Sequence, residues 1–139
     1  MSVKTQVTDA EYERLLELRI GLRRFLHWSE EQASAAGITP PQHQLLLAIR
    51  GQRDPRGPTI GEVAEMLLIR HHSAVGLIDR AEAAGLVHRR ADRDDHRVVR
   101  LSLTALGSRR LRCLSAQHLA ELARLRHQLH AIWDGLPER

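Results

Sequence analysis

From Leu15 the apolar residues Leu15, Leu18, Leu22 and Phe25 recur every three or four positions, with charged residues between them. That period is one face of an α-helix. Thr8 followed by Glu11 is a capping box, in which the threonine oxygen and the acidic side chain satisfy each other's orphan backbone donors. Gly37 offers a left-handed stop, so a long amphipathic helix is predicted over 9–35. The same box recurs at Thr39 with Gln42 and at Thr59 with Glu62, which places two more helix starts. The helix after Thr39 opens on Pro40, presents Leu45, Leu46 and Ile49 on one face, and ends near Gly51. Gly51 to Pro58 carries two glycines and two prolines and predicts an exposed loop.

Past the loop, Ile60, Val63, Ala64 and Leu67 form one helical stripe, and Ala74, Leu77, Ile78 and Ala81 form another that closes at Gly85. Residues 68–70 make the turn between them, so the pair predicts a helix-turn-helix. The period then changes. Leu86 and Val87 begin a strand; Val99, Leu101 and Leu103 alternate with Val98, Arg100 and Ser102, a half-buried strand with its polar residues outward. Between the strands lies a charged tip, residues 90–97, reading Arg-Ala-Asp-Arg-Asp-Asp-His-Arg. After Thr104, an N-cap, Leu111, Leu114, Leu122, Leu125, Leu129 and Ile132 resume the helical period, interrupted on that face by His118. This last helix runs to about Trp133, either continuous or broken near Ser115.

The expected fold is mainly α with a small β-hairpin: a winged helix-turn-helix over 38–104, flanked by helices over 1–37 and 105–139, all in one structural domain. The outer helices are too long and too apolar along one side to be covered by a core of about 65 residues. They are therefore expected to dimerise, packing on each other and on a second copy of the chain.

Composition narrows the function classes. Trp28, Trp133, Tyr12 and Phe25 are the only aromatic residues among 139, so the core must come from aliphatic side chains, which favours helix packing. The net charge is +4 from 21 basic and 17 acidic residues, and every base but Lys4 is arginine, whose fork suits phosphate and guanine. A net charge of that size does not identify a site by itself. Cys113 is the lone cysteine, which excludes an internal disulfide framework and implies a reducing, cytoplasmic setting. The start is polar and the longest apolar run, Leu45 to Ile49, is short, so neither a secretion signal nor a membrane span is expected.

In a helix-turn-helix the second helix enters the major groove with its first turns at the base edges. Here those positions are Arg70, His71, His72, Ser73 and Gly76. Two adjacent histidines also invite a metal, but helical neighbours point about 100° apart and no third ligand is near in sequence, so no metal is assigned. Arg80, one turn beyond Gly76, either contacts phosphate or pairs with Asp79 or Glu82. Arginines in the charged tip suit phosphate or a narrow minor groove, with acidic neighbours able to hold one in place.

Residues 59–104 are similar to the winged helix-turn-helix of the multiple-antibiotic-resistance regulator (MarR) family. The likeness rests on Thr-Ile-Gly-Glu-Val-Ala-Glu-Met-Leu, on Ile-Asp-Arg-Ala-Glu-Ala-Ala-Gly-Leu-Val-His-Arg, and on Asp-His-Arg-Val-Val-Arg-Leu-Ser-Leu-Thr. The resemblance implies a homodimeric regulator, usually a repressor, that binds a pseudo-palindromic operator in double-stranded DNA and is released by a small, frequently aromatic effector. It also places the wing's Asp-x-Arg on Asp95 and Arg97, with the arginine entering the minor groove and the aspartate orienting it. Arg89 then either braces the wing or touches phosphate. The effector site would lie between the outer helices and the reading head, where Leu22, Phe25, Trp28 and His43 serve either as lining or as core.

Three departures stand out. The loop of residues 51–58 is longer than in many members, Gly76 stands where a base-reading side chain is common, and the first helix lacks the cysteine of the peroxide-sensing branch, leaving Cys113 as a packing residue. His118, His127 and His130 with Glu121 form a candidate metal cluster at loose spacing. No metalloprotease helix, phosphate-cradling glycine loop or nucleophile elbow appears, so no enzyme and no cofactor are expected. The alternative function is a winged architectural or protein-interaction module with weak sequence preference.

Overall fold

Thr8 accepts a hydrogen bond from the Glu11 N–H while the Glu11 carboxylate accepts from the Thr8 N–H, and this closed box starts α1 (Asp9–Ala35). The computed structural model describes residues 6–138, so residues 1–5 and 139 of the predicted outer segments lie outside it. A second closed box at Thr39 and Gln42 starts α2 (Pro40–Gly51), after Gly37 has turned the chain at φ 78°. The helix-turn-helix is α3 (Ile60–Leu67) and α4 (His71–Ala83); β1 (Val87–Ala91), β2 (Val99–Leu103) and α5 (Ala105–Asp134) complete the order.

At Thr59 only half of the expected box forms. The Thr59 oxygen accepts from the Glu62 N–H, but the Glu62 carboxylate accepts from that hydroxyl and leans toward the Arg100 guanidinium, 3.7 Å away. The turn between α3 and α4 passes through Leu68 in the left-handed region at φ 55°, and the Ile69 N–H returns to the Ala64 carbonyl. A glycine would be the usual occupant, and leucine there costs roughly 1 kcal/mol.

Leu45, Leu46 and Ile49 of α2, Val63 of α3, Leu77, Ile78 and Ala81 of α4, and Leu101 of β2 build the buried core, closed by Leu111 and Leu114 of α5. Thr104 locks α5 to the sheet: its hydroxyl donates to the Gly85 carbonyl and accepts from the Gly107 N–H, and its N–H donates to the Leu86 carbonyl. At Gly107 the approach is so close that a Cβ would sit 2.1 Å from the Leu86 oxygen.

Beyond Leu114, α5 leaves the core. It continues unbroken through Ser115 and runs antiparallel to α1, where Arg110 meets Ala36, His118 meets Ser29 and Ile132 faces Gly21. Leu18 and Phe25 are half-buried, whereas Leu15, Leu16, Leu22 and Leu26 of α1 and Leu119, Leu122 and Trp133 of α5 are exposed. Leu22 is thus neither core nor in the groove described below, because the apolar positions of α1 fall into two stripes. Cys113 is also exposed rather than packed, since α5 turns Leu111 and Leu114 inward and Cys113 away from them. No described helix is long and apolar enough to cross a membrane.

Candidate nucleic-acid interface

α4 buries Ala74, Leu77, Ile78 and Ala81, and that choice fixes what its other face shows. Arg70 at the N-cap and His71, His72 and Ser73 in the first turn are exposed, Gly76 is half-exposed, and Arg80 is exposed one turn later. Arg70 makes no side-chain capping bond, so the first backbone donors of the helix are left for an outside acceptor, and the helix dipole favours an anion there. Asp79 and Glu82, the neighbours expected to compete for Arg80, are taken by Arg89. Its guanidinium donates to the Asp79 carboxylate at 2.5 Å and to the Glu82 carboxylate at 3.0 Å, bracing β1 against α4.

The two strands pair antiparallel with Val87 opposite Leu103 and Ala91 opposite Val99, and residues 92–98 form the tip. Asp95 grips Arg97 in a two-point fork, Nε to Oδ1 at 3.0 Å and the terminal nitrogen to Oδ2 at 3.1 Å, while the Arg97 N–H also donates to Oδ1. Arg97 stays 90% exposed, so its charge is held in direction yet open to a ligand. That hydrogen bond from the Arg97 guanidinium, with the one from its backbone N–H, keeps the Asp95 carboxyl below the ordinary carboxylate range.

The turn at the tip is organised by one of its aspartates. Asp92 is only 6% exposed; its Oδ2 accepts the N–H groups of Asp94 and Asp95, and its Oδ1 accepts from Arg100 at 3.0 Å. Arg100 was expected to point to solvent. It is 14% exposed instead, donating to Asp92 and to the Gly57 carbonyl, with Asp54 and Glu62 each within 4 Å. The loop thereby clasps the base of the wing, and the Leu101 N–H donates to the Pro58 carbonyl beside the Thr59–Arg100 bridge.

Within that loop Asp54 grips Arg56 in the same fork as Asp95 grips Arg97, through Nε, a terminal nitrogen and the backbone N–H. The sequence carries this fork as a second Asp-x-Arg, Asp54-Pro55-Arg56, inside a segment whose glycines and prolines predict only a loop.

Acid should dissolve this clasp in a defined window. Hydrogen bonds from the Arg56 side chain lower the Asp54 pKa from 3.8 to about 2. Bonds from the backbone N–H of Asp95, together with Arg100, lower that of Asp92. Because the folded-state values lie below the unfolded ones, the contribution is complete above about pH 4 and disappears as pH falls through the folded value. Amide exchange at Asp94, Asp95 and Leu101 is expected to stay slow from pH 7 to about 4, after correction for intrinsic rates, and to lose protection as pH approaches 2. Loss of protection near pH 6 would contradict the carboxylate assignment.

A second feature lies at the junction of α1, α2 and α5: a groove of about 780 Å³ walled by Phe25, Leu26, Leu47, Leu119 and Leu122, with Ser29, His43 and His118 as its inner polar groups. Of the four expected effector residues, Phe25 and His43 line it. Trp28 stacks behind on Phe25 at 5.9 Å and meets His118 edge-on at 4.8 Å, and Leu22 lies elsewhere on α1. His118, expected as a break in an apolar face and as a member of a metal cluster, instead faces this groove. Its Nδ1 must donate to the Leu114 carbonyl, which sets Nε2 against the Ser29 hydroxyl at 2.6 Å. Burial, and then the neighbouring His118, lowers the His43 pKa, which favours the neutral ring. The cluster imagined for His118, His127, His130 and Glu121 does not form; Glu121 pairs with Arg124, and among the described residues no three metal-ligating side chains gather.

Residues 36–98 match the family model described as the MarR family. No curated protein matches the chain significantly. Among solved structures, a MarR family protein from Bacillus stearothermophilus superposes with TM-score 0.70 at 29% identity, over 84% of this chain and 77% of that one. A mutant of Staphylococcus aureus MepR bound to an oligodeoxyribonucleotide does so with TM-score 0.67 at 18% identity, over 95% of this chain and 100% of that one. CouR from Rhodococcus jostii, bound to p-coumaroyl-CoA, gives 0.67 at 22% identity, over 87% and 90%.

Proposed function

Because this chain belongs to the MarR family, with its winged helix-turn-helix fold, we propose that it is a homodimeric, sequence-specific transcription repressor released from its operator by a small aromatic effector. The observation that carries DNA binding is the wing tip: an exposed arginine held by a carboxylate fork, on a turn organised by a buried aspartate, beside the open face of α4. A preorganised guanidinium loses little entropy on entering a narrow, strongly negative minor groove. In keeping with this, the MepR relative was solved on DNA.

Dimerisation is supported by the exposed leucines of α1 and α5 with Trp133, an apolar surface that a lone chain would leave in water. Release by an effector is supported by the apolar groove, which touches both outer helices and α2 of the reading head, so an occupant there would bias the angle between them. The CouR relative was solved with an aromatic thioester.

The test is a randomised-site selection with the purified chain, repeated in the presence of phenolic compounds. The expected product is a palindrome with half-sites about one helical turn apart, bound with an affinity that falls log-linearly with salt. Sedimentation of the free protein is expected to give twice the chain mass. A selection that returns no palindrome would favour the architectural module, and a monomer at micromolar concentration would remove the dimer.

A further inference from the structure

We infer that Arg80 reads a guanine edge in the major groove, supplying the base contact that Gly76 cannot make; this rests on the DNA-binding reading above. Side chains on a helix slant toward its N-terminus, so a residue covers the turn before its own Cα. Arg80 does this over Gly76. Its Nη1 lies 3.3 Å from the point where a Cβ on residue 76 would sit, closer than such contacts normally come. Glycine in the middle of a helix weakens it, and here the missing side chain leaves the corridor that the guanidinium occupies.

A free charge is the second requirement. Asp79 and Glu82 flank Arg80 in sequence, yet both carboxylates are directed to Arg89 on β1. No ion pair holds Arg80 among the described residues, while Arg89, Arg97 and Arg100 are each engaged. The Arg89 brace thus keeps the two nearest acids off the one arginine that lies along the groove-facing row Ser73, Gly76, Arg80.

Position then selects the acceptor. Arg80 is folded back to the level of Gly76, within the part of α4 that faces base edges when the helix enters N-terminus first. Guanine is the base that offers two acceptors, O6 and N7, to one guanidinium fork.

The experiment repeats the selection with Arg80→Ala and Gly76→Ala, then measures both variants on the parent operator and on operators changed one base pair at a time. The parent protein is expected to select a guanine at one symmetric position in each half-site and to bind the substituted site roughly 10-fold or more weaker. With Arg80→Ala that discrimination should fall below about threefold at this position alone, with other positions unchanged and the melting temperature that of the parent. Gly76→Ala should raise the melting temperature while lowering the same discrimination, because it strengthens the helix and displaces the guanidinium. A uniform loss across all sequences makes Arg80 a phosphate contact and overturns the inference, as does an unchanged selection profile. If the parent protein selects no motif at all, the DNA-reading function fails first and the inference falls with it.

Discussion

Arg97→Ala is expected to weaken binding to the selected operator by roughly 10- to 100-fold and to leave the melting temperature of the free protein unchanged. The side chain is 90% exposed and among the described residues it pairs with Asp95 alone, so folding loses little when it is removed. Binding loses a guanidinium already pointed outward. Because the negative potential of the minor groove depends on its width, the loss should be largest on sites with an A·T tract beneath the wing and smaller on G·C-rich ones. Asp95→Asn should give a partial version: the arginine remains, but the charged half of its fork is gone and the guanidinium must be ordered on binding. Fluorescence anisotropy over a range of salt concentrations measures both variants. Parent-like affinity of Arg97→Ala at every salt concentration would show that the wing tip stays off the DNA.

Gly57→Ala carries the other large expected effect, and it acts on stability first. Gly57 has φ 86°, and a Cβ there would stand 2.0 Å from the Leu101 carbonyl oxygen, a backbone atom that cannot swing aside. The loop must lift from β2. It would take with it the bond from the Leu101 N–H to the Pro58 carbonyl, the Thr59 bridge and the anchor that Arg100 makes on the Gly57 carbonyl. Left-handed strain plus these losses amounts to about 3 kcal/mol or more, a fall in melting temperature of roughly 10 °C for a domain this size. Gly51→Ala is the matched control, because nothing lies within 4 Å of its would-be Cβ, and it should melt like the parent. Thermal denaturation followed by circular dichroism separates the two. If Gly57→Ala melted within a degree or two of the parent, the close approach of loop and strand would be wrong.

Loosening the loop should also reach the DNA side. Arg100 links the loop to Asp92, and Asp92 holds the N–H groups of Asp94 and Asp95 just before the Arg97 fork. The chain of contacts from Gly57 to Arg97 is short and made of charge-assisted bonds, which are stronger and more directional than neutral ones.

The elements were legible in the chain where their causes are local. The predicted span 9–35 matches Asp9–Ala35, and the starts at Thr39, Thr59 and Thr104 coincide with observed caps, because a capping residue and a helical period act within a few residues of each other. The pairing of Asp95 with Arg97 was implied by the family resemblance, while the local pattern gave only a charged tip with acidic neighbours able to hold an arginine. Arg100 was not legible: strand alternation sends it outward, and what bends it into the wing base is a loop more than forty residues earlier. The groove was only half legible. Phe25 and His43 were expected, but Leu47, Leu119 and Leu122 join them through the antiparallel run of α5 along α1, which no short-range pattern encodes. Leu68 carries no sign of its left-handed conformation either, since packing on both sides of the turn imposes it.

By itself, then, the sequence determined the order and bounds of the helices, the presence of the wing and the stock of arginines it carries, all consequences of periodicity, caps and composition. Only the tertiary structure decided which arginines are spent and which are free. By spacing Asp79 and Glu82 belong to Arg80, which stands beside them on α4, whereas Arg89 is seven residues beyond Glu82 and ten beyond Asp79; the fold brings β1 across α4, gives both carboxylates to Arg89, and leaves Arg80 over Gly76. Electrostatic pairing depends on distance in space, and the chain records only distance along itself.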